Sequence, residues 1–248
     1  MNTFNEIIKS IKQSKQTIIL TGAGISTESG LPDFRSDNGF WTKNQPIQFQ
    51  EFILNEEKQR LSWERNIKLH SLLKKIKPNI GHAFVEKIIK LHDKNLLITQ
   101  NIDGLHQKSG VPNDKIIEIH GNALQAKCLD CNNEQNILDF HDAIKANNPL
   151  PRCSNCSGIV KVATISFGQP MNELDMEKAS KISAECDLMI VMGSSLKVMP
   201  AGNLPGIAMQ SGSKVIILNR EKTLYDSGAN IVINDELKNI CTSLIQEI

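Results

Sequence analysis

Short apolar runs alternate along the chain with segments in which apolar residues recur every three or four positions. Apolar runs bounded by turn-forming residues are typical of buried strands, and the longer periodicity is typical of amphipathic helices. The runs predict strands over 17–21, 95–99, 115–119, 163–167, 187–192, 214–218 and 230–233. The periodic segments predict helices over 4–15, 82–92, about 173–185 and about 201–210, with a final helix from about Asp235.

Strands that alternate with helices predict an α/β fold, in which a parallel sheet carries helices on both faces. In such sheets ligands bind beyond the carboxyl ends of the strands. Polar residues or glycines follow six of the predicted strands, at positions 22–26, 100–103, 120, 168, 193–195 and 219. We therefore expect these six strand ends to meet at one ligand-binding rim.

Composition narrows the classes of protein that fit. The chain has 248 residues, 40% of them hydrophobic, which is enough to bury a core. Its 28 Lys plus Arg and 27 Asp plus Glu give a formal net charge of +1, so charge does not indicate nucleic-acid binding. Residues 1–15 lack the apolar stretch of a secretion signal, and no run reaches the roughly 18 apolar residues of a membrane helix. We expect a cytoplasmic protein with no membrane partner.

The six cysteines need an explanation other than disulfide bonds, because disulfides are rare in a reducing compartment. Cys186 and Cys241 lie in apolar surroundings and are expected to be buried fillers. Two C-x2-C pairs form the pattern of a zinc ribbon, although the 21 residues between them, 132–152, are just beyond its usual gap. Four thiolates complete a tetrahedral shell and leave no open position, so we predict a structural zinc site with the ligands Cys128, Cys131, Cys153 and Cys156.

A glycine-containing loop follows the first predicted strand, and Gly22 and Gly24 in it would let the backbone approach a phosphate group. The G-x-G-x-x-G pattern nevertheless fails at its third position, Thr27, and the acidic residue expected about 20 positions later is absent. This departure disfavours a hydride-transferring dehydrogenase. Taken alone, the loop is also compatible with an ordinary turn between a strand and a helix.

Further motifs follow in order along the chain. They are residues 29–35 (Ser-Gly-Leu-Pro-Asp-Phe-Arg), 99–106 (Thr-Gln-Asn-Ile-Asp-Gly-Leu-His), 118–121 (Glu-Ile-His-Gly), the four cysteines, 167–168 (Phe-Gly), 193–196 (Gly-Ser-Ser-Leu) and Asn219. Together with the glycine loop, this ordered set resembles the sirtuin family of NAD-dependent protein deacylases. The resemblance extends from about residue 17 to the final helix.

The resemblance implies a Rossmann-like NAD-binding body with two insertions. Residues 1–36, 77–121 and 161–248 would form the body, residues 37–76 a cofactor loop and helical insertion, and residues 122–160 the zinc module. It also implies a reaction in which NAD is cleaved to nicotinamide and the acyl group of an acyl-lysine protein or peptide passes to ADP-ribose, giving O-acetyl-ADP-ribose.

The resemblance further assigns catalytic roles. His120 would be the general base, and an unperturbed imidazole has a pKa of about 6.5, close to the operating pH. Asn101 would orient the ribose or a reacting water, and Asp103 would accept a hydrogen bond from the carboxamide of nicotinamide. His106 would brace the loop. The remaining histidines, His70, His82, His92 and His141, are interpreted as surface or packing residues.

The resemblance also implies two sets of binding residues. The NAD contacts would be Gly22, Ala23, Gly24, Ser26, Thr27, Phe34, Arg35, Gln100, Asn101, Ile102, Asp103, His120, Gly193, Ser194, Ser195, Asn219, Arg220 and Asp235. The acyl-lysine peptide would add as a strand between two edges, which gives affinity through the backbone and tolerates many sequences. These edges would contain Ile165, Ser166, Phe167 and Gly168 on one side, and Lys197 and Val198 on the other.

The chain departs from the family pattern at the substrate edge. Val162 follows Lys161 where the family usually has proline, and Gln169 follows Gly168 where the family usually has glutamate. Members that prefer succinyl or malonyl groups carry a Tyr-x-x-Arg pair, and here those two positions are Asn66 and Leu69. An acidic acyl chain would lack its arginine partner, so we expect a preference for acetyl or other uncharged acyl groups.

Two other functions are compatible with part of this pattern. A mono-ADP-ribosyltransferase or NAD hydrolase would keep the fold and change the acceptor, although His120 favours acyl transfer. A nucleic-acid-binding zinc ribbon is disfavoured, because residues 122–160 carry bases and acids in near balance.

Overall fold

The computed structural model describes residues 3–32, 45–146 and 149–248. Two of the predicted NAD contacts, Phe34 and Arg35, lie outside the described residues. No helix within the described part of the chain is long and apolar enough to cross a membrane.

Strands and helices alternate over much of the chain. The strands are β1 (Thr17–Thr21), β2 (Leu96–Thr99), β3 (Ile116–Glu118), β4 (Gly121–Cys128), β5 (Glu134–Asn136), β6 (Val160–Thr164), β7 (Leu188–Met192), β8 (Lys214–Leu218) and β9 (Ile231–Ile233). The helices are α1 (Thr3–Gln13), α2 (Phe49–Leu54), α3 (Glu56–Leu73), α4 (Ile80–Leu91), α5 (Leu105–Lys108), α6 (His141–Lys145), α7 (Glu173–Glu185), α8 (Leu204–Gln210) and α9 (Leu237–Leu244). Short 3-10 helices span Ala23–Ser29, Asn113–Lys115, Ile137–Phe140 and Ala201–Asn203.

The larger sheet is parallel and, within the described residues, has six strands in the order β3-β2-β1-β7-β8-β9. Every residue of the central strands β1 and β7 is buried, which explains why these strands are continuous apolar runs rather than alternating ones. From β1, strands β2 and β3 extend the sheet to one side, whereas β7, β8 and β9 extend it to the other side. The direction of the strand order therefore changes between β1 and β7. A ligand crevice is expected beyond the carboxyl ends at such a point.

Helices cover both faces of this sheet, as predicted. One core cluster joins α1, α4 and α9 to the sheet through residues such as Ile7, Ile88 and Ile240. A second cluster joins α7 and α8 to the opposite face through Ala179 and Leu204. Side chains of the sheet point alternately toward these two helical layers, so the sheet lies between them at the centre of the fold.

The prediction for the fourth strand was wrong in its bounds and in its sheet. The strand is β6, Val160–Thr164 rather than 163–167, and it pairs antiparallel with β4 in a small sheet of order β5-β4-β6. The apolar run ends in three residues, 165–167, that leave the strand. A buried apolar run has the same pattern in parallel and antiparallel sheets, so the sequence could not distinguish the two.

The helical insertion packs against the zinc module. Trp63 of α3 donates its indole N–H to the carbonyl of Val160 at 3.3 Å and lies 5.3 Å from the Phe140 ring. His70 of α3 packs edge-on against His141 of α6, with ring centroids 4.9 Å apart. The described part of the helical insertion contains one short helix (α2) and one helix of 18 residues (α3).

Candidate active site

A cavity of about 960 Å³ opens between the carboxyl ends of the parallel strands, the end of β6 and helix α3. Many of the predicted NAD contacts line it: Ala23, Ser26, Gln100, Asn101, Ile102, Asp103 and His120. Its wall also includes the predicted peptide contacts Ile165, Ser166, Phe167, Gly168 and Val198. The cavity therefore brings the two sets of predicted residues together.

His120 follows β3 and lies half-buried at the cavity wall. Its Nδ1 lies 3.0 Å from the backbone carbonyl oxygen of Gln100. Because a carbonyl oxygen only accepts hydrogen bonds, Nδ1 carries the hydrogen and Nε2 is the basic nitrogen. The next residue, Gly121, has φ of +75°, a conformation that glycine adopts without strain. The strand end thus fixes both the position and the tautomer of the imidazole.

Asp103 and Asn101 form a buried polar group on the loop after β2. The two carboxylate oxygens of Asp103 accept from the Ser26 hydroxyl at 2.7 Å and from the Leu105 N–H at 2.9 Å. Burial raises the pKa of this carboxyl, and the two donors act against that shift. The Asn101 amide donates to the Gly22 carbonyl and to Ser26, both at 3.2 Å. Each side chain is thereby held in one orientation.

The Oδ1 atom of Asn101 is buried and has no hydrogen-bond partner among the described residues. A buried acceptor without a donor costs free energy, so such atoms usually meet a ligand or water. The oxygen belongs to a residue of the cavity wall, where a ribose hydroxyl or a carboxamide would supply the missing donor. The residues present therefore fit the nicotinamide riboside half of NAD.

Behind this group, two histidines pack with ring centroids 4.9 Å apart. His106 Nε2 lies 3.0 Å from the Thr21 hydroxyl, which joins the loop to β1, the bracing role expected for this residue. His82 Nε2 lies 3.4 Å from the Ser26 hydroxyl. Burial lowers the pKa of His82 to about 4 and that of His106 well below its usual value. Both rings are therefore neutral at pH 7.

The glycine loop forms a 3-10 helix whose close packing explains both glycines. The Gly24 N–H donates to the Gly193 carbonyl at 2.8 Å, and a Cβ on either Gly22 or Gly24 would lie 2.8 Å from that same oxygen. The glycines are thus needed for contact with the end of β7, a reason that the phosphate argument did not include. Nearby, the Gln100 amide donates to the Ser194 hydroxyl at 2.8 Å, which links β2 to β7 across the rim.

Several predicted NAD contacts lie at the rim without lining this cavity, namely Gly22, Gly24, Thr27, Gly193, Ser194, Ser195, Asn219, Arg220 and Asp235. Arg220 lies 3.4 Å from the Glu221 carboxylate and 3.5 Å from Glu236. Asp235 accepts from the N–H of Glu236 and from Asn239, so its carboxylate organises the start of α9. Their contact with the adenosine half of NAD stays a prediction.

The segment 165–168 forms the predicted substrate edge. The Ile165 N–H donates to the carbonyl of His120 at 2.9 Å, and the Phe167 carbonyl accepts from the Phe49 N–H at 2.8 Å. The Gln169 side chain accepts from the Ser166 N–H at 3.1 Å and closes the turn. On the opposite edge Val198 lines the cavity, and Lys197 is exposed beside it.

The sequence analysis did not assign three cations of the cavity wall, Arg65, Lys68 and Lys161. The first two lie on α3, beside the Asn66 and Leu69 positions that were considered for the acyl group, and both of those residues line the cavity as well. Arg65 donates to the Gln45 carbonyl at 2.8 Å. For the first two, helical spacing was the available signal: Lys68 is three and Leu69 four residues after Arg65, and residues three and four apart share a face.

The four predicted zinc ligands converge, as expected. The sulfur atoms of Cys128, Cys131, Cys153 and Cys156 all lie within 4.8 Å of one another. Two pairs are 3.5 and 3.6 Å apart, near the separation of about 3.8 Å that tetrahedral Zn–S bonds of about 2.3 Å require. Cys186 and Cys241 are buried, as predicted.

The comparisons with known proteins point to one family. A model of the Sir2 family matches residues 22–200. The chain is 40% identical over 227 residues to NAD-dependent protein deacetylase 1 of Bradyrhizobium diazoefficiens, covering 92% of this chain and 89% of that protein. It is 38% identical over 238 residues to the NAD-dependent protein deacetylase of Thermodesulfovibrio yellowstonii, covering 96% and 92%.

Solved structures share the fold over the whole length. A Sir2 structure with a p53 peptide and NAD+ superposes with a TM-score of 0.83 at 31% identity, covering 98% of each chain. The structure of Sir2Tm bound to a propionylated peptide gives a TM-score of 0.84 at 31% identity, covering 100% of this chain and 98% of that one. With the family model matching most of the chain and the relatives aligning over nearly all of it, the chain belongs to the Sir2, or sirtuin, family.

Proposed function

We propose that the chain is an NAD-dependent protein-lysine deacetylase, which transfers the acyl group of an acyl-lysine to ADP-ribose and releases nicotinamide, giving O-acetyl-ADP-ribose. The observation that carries this proposal is His120, held by the Gln100 carbonyl in the tautomer of a base within the cavity that contains Asn101 and Asp103. The curated relatives named as NAD-dependent protein deacetylases support it.

NAD, when bound, supplies the ADP-ribosyl group that accepts the acyl chain. Asp103 would hold the carboxamide of the nicotinamide, since each of its oxygens accepts one hydrogen bond within the protein and retains capacity for another. Asn101 Oδ1 would accept from a ribose hydroxyl. These fixed acceptors place the glycosidic bond at a defined point before any bond breaks.

His120 would take the proton that the acyl-transfer step releases. A hydroxyl of the ribose can attack an acyl carbon only as it loses its proton, and Nε2 is the basic nitrogen at this wall. Apolar side chains of the same wall, among them Ile102, Ile165 and Val198, would exclude the water that otherwise hydrolyses NAD.

We propose a structural zinc ion held by the four cysteines. A complete shell of thiolates leaves no position for substrate, so the ion would stabilise the module rather than take part in the reaction. The end of β6 forms one wall of the cavity. Because β6 pairs with β4, and β4 ends at the zinc ligand Cys128, we expect the shape of this wall to depend on the zinc module.

Mass spectrometry of the products from NAD and an acetyl-lysine peptide tests the proposal. We expect deacetylated peptide, nicotinamide and O-acetyl-ADP-ribose in equal amounts. Free ADP-ribose with unchanged peptide would instead identify an NAD hydrolase, and a peptide or protein that gains the mass of ADP-ribose would identify a transferase.

A further inference from the structure

Lys161 is a buried cation at the cavity wall to which the proposed reaction gives no role. It lies on β6 and is only 4% exposed. Its Nζ donates to the backbone carbonyl of Val162 at 3.2 Å and to that of Thr164. Burial lowers the pKa of its ammonium to about 7, and no carboxylate among the described residues compensates the charge.

The carbonyls that Lys161 binds lie where the small sheet is irregular. Val162 of β6 pairs with Ala126 of β4, and Thr164 of β6 pairs with Gly121 of β4. Between these two pairs β4 contains three more residues than β6, which is a bulge. The extra residues of β4 turn away, and the Ala123 N–H donates to the Ile102 carbonyl at 2.9 Å. The lysine ammonium therefore supplies hydrogen bonds to β6 beside the gap in the ladder.

This irregular segment touches the backbone that directly follows the catalytic base at two points. The Ile165 N–H donates to the His120 carbonyl at 2.9 Å. A Cβ on Gly121 would lie 2.0 Å from the Ala163 carbonyl oxygen, so the backbone of β6 lies directly against the residue that follows His120. The peptide unit and the glycine that follow the imidazole thus rest on the stretch that Lys161 holds.

We propose that Lys161 is a positioning residue, which holds the bulged end of β6 against residues 120–121 and thereby sets the place of His120 in the cavity. A methionine would fill a similar volume without the cost of burying an ammonium group, so packing alone does not account for a lysine. The inference rests on the proposed deacetylase activity.

The test separates two partial reactions of the full-length protein. Nicotinamide exchange needs only cleavage and re-formation of the glycosidic bond, whereas deacetylation also needs proton removal by His120. At saturating NAD and acetyl-lysine peptide, we expect Lys161→Met to lower the ratio of deacetylation to exchange by about tenfold to a hundredfold, since small misplacements of a catalytic group have effects of that size. Exchange itself should stay within about twofold of the wild type, because Asn101 and Asp103 are untouched.

Lys127→Met is the matched control. Lys127 pairs with Lys161 across the two strands and is half-buried. The substitution Lys127→Met therefore removes a lysine from the same sheet but leaves the hydrogen bonds of Lys161 to Val162 and Thr164 in place. It should keep the wild-type ratio. An equal fall in Lys127→Met, or an unchanged ratio in a folded Lys161→Met that has merely lost thermal stability, would overturn the positioning role.

Lys161→Arg gives a second reading if Lys161→Met fails to fold. The guanidinium retains charge and donors but presents them in a planar fork that does not match the two carbonyls bound by the lysine, so the ratio should fall by more than about twofold. A wild-type ratio in Lys161→Arg would count against the proposal.

The failure of the two proposals can be told apart. A wild-type protein that makes no O-acetyl-ADP-ribose would overturn the proposed function and the role of Lys161 together. An active wild-type protein with an unaltered ratio in Lys161→Met would overturn only the role of Lys161.

Discussion

The two walls of the cavity handle buried polar groups in different ways. At the rim of the parallel sheet, Asp103, Ser26 and Asn101 bind one another and the backbone, and the neighbouring histidines stay neutral. On the wall formed by the small sheet and α3, Lys161 stays buried, and its partners among the described residues are carbonyl oxygens. The rim is ordered by regular strands that end together, whereas the second wall is irregular and depends on side chains and a metal module for its shape.

Removing a zinc ligand should have the largest effect of all. Cys128→Ser is expected to unfold the zinc module, because binding of structural zinc contributes on the order of 10 kcal/mol to the folding of such modules. Thermal unfolding monitored by circular dichroism, together with the zinc content, measures the change. Cys241→Ser, which alters a buried cysteine outside the quartet, serves as the control and should retain its zinc. A fully stable Cys128→Ser protein would mean that the second wall does not need the metal.

Removing the base at the rim should abolish chemistry and leave the fold intact. His120→Ala is expected to lower the deacetylation rate by about 10²- to 10⁴-fold, the usual contribution of a general base. NAD affinity, measured by isothermal titration calorimetry, should change little, because the carboxamide and ribose acceptors remain. His92→Ala removes an exposed histidine and should be fully active. Deacetylation retained in His120→Ala would remove this residue from the mechanism.

Acid should destabilise the rim through its buried histidines. The unfolded chain protonates His82 near pH 6.5, whereas burial holds its pKa in the fold at about 4. The folded state thus binds fewer protons over this window, and its free energy of unfolding falls as the pH drops from about 6.5 to about 4, by at most about 1.4 kcal/mol per pH unit for this group.

His82→Gln should therefore show a flatter loss of stability across that window than the wild type. Urea unfolding at several pH values between 7 and 4 provides the measurement. The slope should decrease without vanishing, because burial lowers the pKa of His106, His70 and His141 as well. A slope identical to that of the wild type would show that His82 is not held neutral.

The second wall should set the acyl preference, with the smallest effect of the four. Asn66 and Leu69 line it at the positions where an acidic acyl chain would need an arginine, so we expect kcat/KM for an acetyl-lysine peptide to exceed that for a succinyl-lysine peptide by about tenfold or more, equivalent to about 1.4 kcal/mol. Faster desuccinylation would point to Arg65 as a partner that leaves the Gln45 carbonyl for the acyl carboxylate.

The rim was more predictable from the sequence than the second wall, and the reason is physical. Buried parallel strands, the residues at their ends and the spacing of four thiolates are local features, and each constrains only a few neighbouring residues. The cysteines could be identified for that reason, and the ends of the strands marked His120 and Asp103 as candidates, although their roles came from the resemblance to the sirtuin family and stay predictions. The antiparallel pairing of β6, by contrast, depends on β4 more than 30 residues earlier in the chain, and no local pattern records the partner.

Individual residues show the same limit. Val162 could be recognised as a departure from the family pattern, but the burial of Lys161 beside it follows from a bulge that the sequence does not reveal. Gly22 and Gly24 were expected to serve a phosphate, and their contact with Gly193 arises only when β1 and β7 are neighbours. In these places sequence reasoning lacked the three-dimensional neighbours.

The hydrogen bonds from Ile165 to His120 and from Phe49 to Phe167 join backbone groups only. Side chains at positions 165–167 can therefore change without breaking the bonds that tie the predicted substrate edge to the proposed catalytic base on one side and to α2 on the other. Selection can therefore vary the side chains of this segment while it keeps the backbone hydrogen bonds. Peptide preference is free to drift through substitutions along the edge, while the geometry of acyl transfer is inherited through the main chain.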